Sequence, residues 1–155
     1  MEEMIRIAGF NKSSAADGPG IRSVLFFQGC SRGCPDCHNQ NINNKEGGLL
    51  TSVEEMVSFL KKNCHNKKLT ISGGEPLEQP EGLRCLMSAL KDEGFDLCLY
   101  TGFDRKFVPP EIIENLHYLK TGIFKKEAVY PPKPFVGSNN QIFTEIEIER
   151  MNDYE

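Results

Sequence analysis

An α/β fold is what the sequence predicts, in the form of an open or partial TIM-like β/α barrel on a mostly parallel sheet, and three observations predict it. Short β-rich runs alternate with helical periods along the chain. No internal repeat or low-complexity linker interrupts that alternation. The 155 residues, 39% of them hydrophobic, are one domain's worth of chain and enough to bury a core, so residues 1–155 are expected to form a single domain. Strand–helix–strand alternation implies right-handed crossovers and parallel strands, and in this size range an incomplete barrel.

The first two strands are expected at Met4–Phe10 and Arg22–Gln28. Between them, Asp17-Gly-Pro-Gly-Ile-Arg22 reads as a turn built from Gly and Pro with a charged end. A helix follows in which Val53, Met56, Val57 and Leu60 share one face, and Thr51 with Glu54 three residues later has the form of a capping box. After a strand at Lys68–Ser72, Leu83, Leu86, Met87 and Leu90 repeat the helical spacing, with Gly94 placed as the stop. A strand at Phe95–Thr101 comes next. A short helix then starts at Pro109-Pro110 and carries Ile112, Ile113 and Leu116. Strands at Tyr118–Phe124 and Gln141–Ile148 complete the set. In the tail, Ile146 and Ile148 alternate with Glu145, Glu147 and Glu149, the pattern of a half-exposed edge strand whose charges discourage aggregation.

Composition narrows the function classes. A net charge of −4 and a pI near 5.5 argue against a nucleic-acid surface as the main partner. The longest apolar run, Val24-Leu-Phe-Phe27, is far below the ~20 residues that span a bilayer, and Met1-Glu2-Glu3 opens no signal sequence, so no membrane partner and a cytoplasmic location are expected. Six cysteines in such a chain belong to a reducing compartment, as thiols or metal ligands.

Three of those cysteines, Cys30, Cys34 and Cys37, fall in the stretch Gly29-Cys-Ser-Arg-Gly-Cys-Pro-Asp-Cys-His-Asn39. Thiolates hold 4Fe–4S clusters, usually four of them; three ligands leave one iron with a free coordination position where a substrate can bind. The other reading is a zinc site completed by His38 or by the distant Cys64-His65. Against it, structural zinc sites normally use two separated ligand pairs, and adjacent Cys37 and His38 can hardly both reach one tetrahedral ion. Cys64, Cys85 and Cys98 read as packing residues.

On a parallel β/α fold, ligands bind at the C-terminal ends of the strands. The cysteine loop follows the strand Arg22–Gln28, Ser72-Gly-Gly-Glu-Pro76 follows the next, and Tyr100-Thr-Gly102 follows the one after, so three unusual segments share one rim. Two glycines permit close backbone approach, and Glu75 offers a carboxylate to an ammonium. Taken alone, Gly-Gly-Glu-Pro is an ordinary loop and helix start. Lys120, inside an expected strand, is either a buried cation needing a polar partner or a lysine that snorkels to the surface.

The C-x₃-C-x₂-C spacing with the Gly73-Gly74-Glu75 turn resembles the radical S-adenosylmethionine (SAM) superfamily, although Asp36 stands where many members carry an aromatic. The resemblance implies that Cys30, Cys34 and Cys37 bind a 4Fe–4S cluster. It implies that the fourth iron chelates the methionine moiety of SAM, and that an electron from the cluster cleaves SAM to a 5′-deoxyadenosyl radical. By the same resemblance, Gly73, Gly74 and Glu75 hold the methionyl amino group; from their place on that rim, Tyr100, Thr101 and Gly102 are expected to line the adenosine pocket, a strand-ending Tyr being otherwise core, and Lys120, if buried, to meet the SAM carboxylate. The fold implied is the partial barrel of that superfamily.

Asp17-Gly-Pro-Gly-Ile-Arg22 and Cys37-His-Asn39 resemble segments of the activating enzymes of glycyl radical enzymes, which are oxidoreductases. Val136-Gly-Ser-Asn-Asn-Gln141 resembles a segment of the activases of anaerobic (class III) ribonucleotide reductase, although an arginine commonly stands at the position of Val136, and the chain length fits those small enzymes. The resemblance therefore implies a glycyl radical enzyme as partner, with the large subunit of anaerobic ribonucleotide reductase foremost, and a flavodoxin or ferredoxin type electron donor. Three other readings stand beside it: an activase of a pyruvate formate-lyase type enzyme, to which Cys37-His-Asn39 is suited, another radical SAM enzyme that modifies a small molecule or peptide, and a non-enzymatic iron–sulfur or zinc binding module.

Overall fold

The structure is a computed structural model and describes residues 3–30 and 47–146. Its strands are β1 (Met4–Ser14), β2 (Arg22–Phe27), β3 (Leu49–Ser52), β4 (Lys68–Gly73), β5 (Asp96–Tyr100), β6 (Tyr118–Thr121) and β7 (Ile142–Glu145). The helices are α1 (Val53–Asn63), α2 (Pro80–Asp92) and the short α3 (Pro110–Ile113). The strands form one open sheet in the order β3-β1-β2-β4-β5-β6-β7. Among the described residues, no helix is long and apolar enough to cross a membrane.

The fold is mixed α/β, and its sheet is parallel only in the middle. Pairs β2–β4, β4–β5 and β5–β6 are parallel, whereas β1–β2, β1–β3 and β6–β7 are antiparallel. That corrects the expectation of a mostly parallel sheet. The link between β1 and β2 spans only residues 15–21, and a parallel crossover needs about a dozen residues or more. Strand β1 therefore returns as a hairpin partner, with bulges after Ile7 and Asn11.

One sheet face carries the apolar core. Leu25, Phe27, Leu69, Ile71, Leu97 and Leu99 pack under Val53, Met56 and Leu60 of α1 and Leu83, Leu86, Met87 and Leu90 of α2. The four α2 residues are all 0% exposed, as their spacing predicts, and Gly94 at φ +85° ends that helix as expected. The cap of α1 lies one residue later than the sequence suggested. The Glu55 N–H donates to Ser52 Oγ at 3.1 Å, because Thr51 is taken into β3, a strand the sequence reading missed. Four residues abutting a cap leave too short an alternation to read.

By the two-residue period of a strand, Arg22, Val24, Thr70, Cys98, Tyr100 and Lys120 occupy the other face. Arg22, 1% exposed, anchors it. Its Nε donates to Thr70 Oγ1 at 3.0 Å, Nη1 to the Pro19 carbonyl at 3.2 Å, and Nη2 to the Leu69 carbonyl at 3.1 Å. Nη2 also reaches the Asp96 carbonyl at 2.8 Å and its carboxylate at 2.7 Å. Thr70 Oγ1 in turn donates to the Asp17 carbonyl at 2.6 Å. The charged end of the Gly-Pro turn is thus a buried pin that folds residues 17–21 over the N-terminal end of the parallel strands.

Candidate cofactor site at the strand C-termini

Strand β4 ends on Gly73, at φ +127°, followed by Gly74. A Cβ on Gly73 would overlap the backbone N and O of Phe27, and one on Gly74 would overlap the Gly29 carbonyl. Only glycine permits that approach. It allows the Gly74 N–H to donate to the Phe27 carbonyl at 2.9 Å and the Glu75 N–H to the Gly29 carbonyl at 2.8 Å. The turn after β4 is thereby bonded to the backbone that feeds Cys30.

Glu75, 2% exposed, joins this turn to the end of β5. Its Oε2 accepts the Thr101 hydroxyl at 2.7 Å and the Leu77 N–H at 3.0 Å, and its Oε1 accepts the Gly102 N–H at 2.7 Å. Three donors converging on one buried carboxylate fix its position and orientation between the ends of β4 and β5. The Leu77 bond also caps the 3₁₀ turn Pro76–Glu78.

One register position away, Tyr100 pairs with Lys120 across β5 and β6. The Lys120 ammonium lies 3.7 Å from the Tyr100 ring centroid, a cation–π contact. The Tyr100 hydroxyl is buried and has no hydrogen-bond partner among the described residues. Burial lowers the Lys120 pKa, with Cys98 and Asp17 opposing, and raises that of Tyr100. Burial also pushes the Cys98 thiol up to about 12, which leaves it protonated and unreactive.

The expected site residues are therefore brought together in part. Cys30 is half-buried at the rim just after β2, beside Gly74 and Glu75. Cys34 and Cys37, with Asp36, His38 and Asn39, lie outside the described residues. So do Glu147, Ile148 and Glu149 of the expected last strand. Lys120 is half-buried, its ammonium over an aromatic ring. The Thr101 hydroxyl is engaged by Glu75 and also accepts the Phe103 N–H at 3.1 Å, so it supports the carboxylate. Cys64 is buried, its thiol donating to the Lys68 carbonyl at 3.3 Å as a packing residue.

The Gly137–Gln141 segment is turned into its own loop. Gln141 Oε1 accepts the N–H groups of Gly137 and Ser138, and its Nε2 donates to the Gly122 carbonyl at 2.9 Å. Asn140 donates to the Ile123 carbonyl, and Ser138 Oγ accepts the Lys125 N–H. Local structure accounts for this motif without a partner. Sequence reasoning missed Gln79, whose side chain bonds both β1 and the end of β2. Its one signal was position, a turn beyond Glu75.

The donors suit a metal cluster and a zwitterionic ligand. A thiol leaves one strand end, a buried carboxylate stands at the next, and an ammonium with an orphaned hydroxyl stands at a third. This is a candidate ligand-binding rim on an open α/β sheet. Comparison with known proteins makes it specific: the family described as the 4Fe–4S single cluster domain matches residues 16–144, and the chain belongs to that family. The pyruvate formate-lyase 1-activating enzyme of Escherichia coli K12 is 38% identical over 117 residues, covering 72% of this chain and 47% of the relative. The pyruvate formate-lyase-activating enzyme of Clostridium pasteurianum is 37% identical over 103 residues, 63% of this chain and 43% of its own. That of Staphylococcus aureus (strain USA300) is 38% identical over 91 residues, 55% and 36%. The chain spans about half the length of the curated relatives it matches. The resemblance to activating enzymes of glycyl radical enzymes, drawn from motifs alone, is borne out.

Proposed function

We propose that this chain is a radical SAM activase. In this reading Cys30, Cys34 and Cys37 hold a 4Fe–4S cluster, and Gly73, Gly74 and Glu75, with Tyr100, Thr101 and Lys120, hold SAM. The observation that carries it is the bonding of the Gly-Gly-Glu turn to residues 27 and 29, immediately before Cys30, in a chain of the 4Fe–4S single cluster family. When bound, the reduced cluster supplies the electron that cleaves SAM to methionine and a 5′-deoxyadenosyl radical, which takes a hydrogen atom from a partner's glycine.

The chain's own residues bind and orient. Glu75 is held by Thr101, Gly102 and Leu77, so its negative charge is preorganised at the rim where a ligand ammonium would bind. Lys120, held in a poorly solvated place, gains most from a ligand carboxylate, and that gain favours its charged form. The Tyr100 hydroxyl offers a hydrogen bond on the same face. The unclosed sheet supports the partial-barrel reading, with an open side for a partner's glycine loop. Thiolate ligands suit a reducing cytoplasm and a flavodoxin or ferredoxin type donor.

The partner we infer is of the pyruvate formate-lyase type. The named relatives act on that enzyme, whereas the ribonucleotide reductase reading leaned on Gly137–Gln141, which the chain's own loop explains. The test offers reconstituted protein, SAM and reductant to each glycyl radical enzyme in turn and records the glycyl doublet by electron paramagnetic resonance (EPR). A doublet on pyruvate formate-lyase is the expected result. A doublet on the reductase alone would reverse the partner assignment, and none on either would remove the activase.

A further inference from the structure

The backbone carbonyls of Phe27, Gln28 and Gly29 are the last three before Cys30, and each is held by the segment 74–79. Gly74 N–H takes the first at 2.9 Å and Glu75 N–H takes the third at 2.8 Å. The middle one, of Gln28, is taken by a side chain, Gln79 Nε2, at 3.1 Å. The same amide continues onto β1: Nε2 donates to the Arg6 carbonyl at 3.0 Å, and Oε1 accepts the Arg6 N–H at 2.8 Å. The Arg6 carbonyl also accepts the Gln28 N–H at 3.0 Å. One primary amide thus ties two strand ends together just where the chain departs toward its first cysteine. Its own backbone is fixed as well, N–H to the Pro76 carbonyl and carbonyl to the Leu83 N–H at the start of α2.

We propose that Gln79 is a positioning residue for Cys30, setting the direction in which the chain leaves β2 and so holding Cys30 in register with the Glu75 turn. The proposal rests on the reading of Cys30 as a cluster ligand. Its chemistry is restrictive. An amide offers donors and an acceptor on one rigid plane; a carboxylate of the same reach offers acceptors only, and asparagine is one methylene shorter. With that amide gone, the Gln28 peptide keeps its bond to β1 but loses the brace to the turn that carries Glu75.

The test uses the full chain with Gln79→Met and Gln79→Glu, reconstituted anaerobically with iron and sulfide. Four quantities are read: the apo-protein thermal midpoint, iron and sulfide per chain, the rate of cluster loss to a chelator, and the EPR lines of the reduced cluster with and without SAM. Both variants should fold and take up a cluster. They should lose it about fivefold faster or more, the size expected for one lost buried hydrogen bond. Their response to SAM should be broadened. In Gln79→Glu, the excess rate over the unaltered protein should shrink as pH falls, because a half-buried carboxyl facing two carbonyl oxygens is more readily protonated and regains a donor. Equal loss rates and equal lines in all three proteins would overturn the proposal. If Gln79→Met does not fold, an excess rate in Gln79→Glu that ignores pH would overturn it. No cluster in the unaltered protein would instead remove the site reading, and this inference with it.

Discussion

Glu75 has two roles that pull a substitution in different directions. Its carboxylate is the proposed ligand for an ammonium, and it also satisfies Thr101, Gly102 and Leu77 inside the fold. Glu75→Ala should therefore keep cluster uptake, weaken SAM binding and destabilise the apo-protein by about 2–3 kcal/mol, as expected for hydrogen bonds to a buried charge. Urea unfolding and SAM titration measure the two effects; unchanged SAM affinity would remove Glu75 from the site. Lys120 gives a pH signature. Burial holds its folded pKa below the ordinary 10.5, so between those two values the unfolded chain binds more protons and stability rises with pH. Cys98 acts oppositely, its thiol's contribution being lost as pH rises above 9.0 toward about 12, but equally in the unaltered protein and in a Lys120 variant, so the difference between the two reports Lys120. In apo-protein, Lys120→Met should raise the urea midpoint at pH 7, by an advantage over the unaltered protein that shrinks as pH rises toward 10.5, while abolishing SAM binding. A midpoint that climbs with pH as before would show that another group titrates. The placement of Glu75 and Lys120 was legible because their motifs sit at strand ends; the inward bonds of Thr101 and Gln79 were not, since nothing in residue type tells which way a hydroxyl or an amide turns.

Among the elements, the turn after β4 carries the least tolerance. Gly73→Ala or Gly74→Ala puts a methyl into the backbone of residues 27 or 29, and both should cost at least about 3 kcal/mol, overpacking against backbone that cannot yield plus, at Gly73, left-handed strain. Failure to lower the urea midpoint would contradict the close approach. At the opposite strand ends, Arg22→Met leaves the Asp96 carboxylate and three carbonyls without their donor and should cost about 3–5 kcal/mol. The helices were legible because Leu83, Leu86, Met87 and Leu90 repeat over several turns. Strand β3 was hidden by its four-residue length, and the direction of β1 by a turn whose shortness outweighed the βαβ pattern. The Gly137–Gln141 motif was legible as a segment and misleading as a partner signal, because its polar groups bond to the loop 122–128 and to one another.

At the scale of the molecule, an open seven-stranded sheet brings the exits of β2, β4 and β5 onto one rim and closes the other end with the Arg22 network. That division separates a ligand-facing end from a stabilising one, so changes at Arg22 and at Glu75 should be close to additive in stability. The family and the class of chemistry were legible in three cysteines and one Gly-Gly-Glu turn; the partner was not, since it is read by surfaces that no local motif encodes. The central claim is tested most directly by reconstituting the chain anaerobically with iron and sulfide, reducing it with dithionite, adding SAM, and assaying 5′-deoxyadenosine and methionine. The account predicts both products from the unaltered protein and neither from Cys34→Ala. A loaded, reducible cluster that neither binds nor cleaves SAM, or normal cleavage by Cys34→Ala, would contradict it.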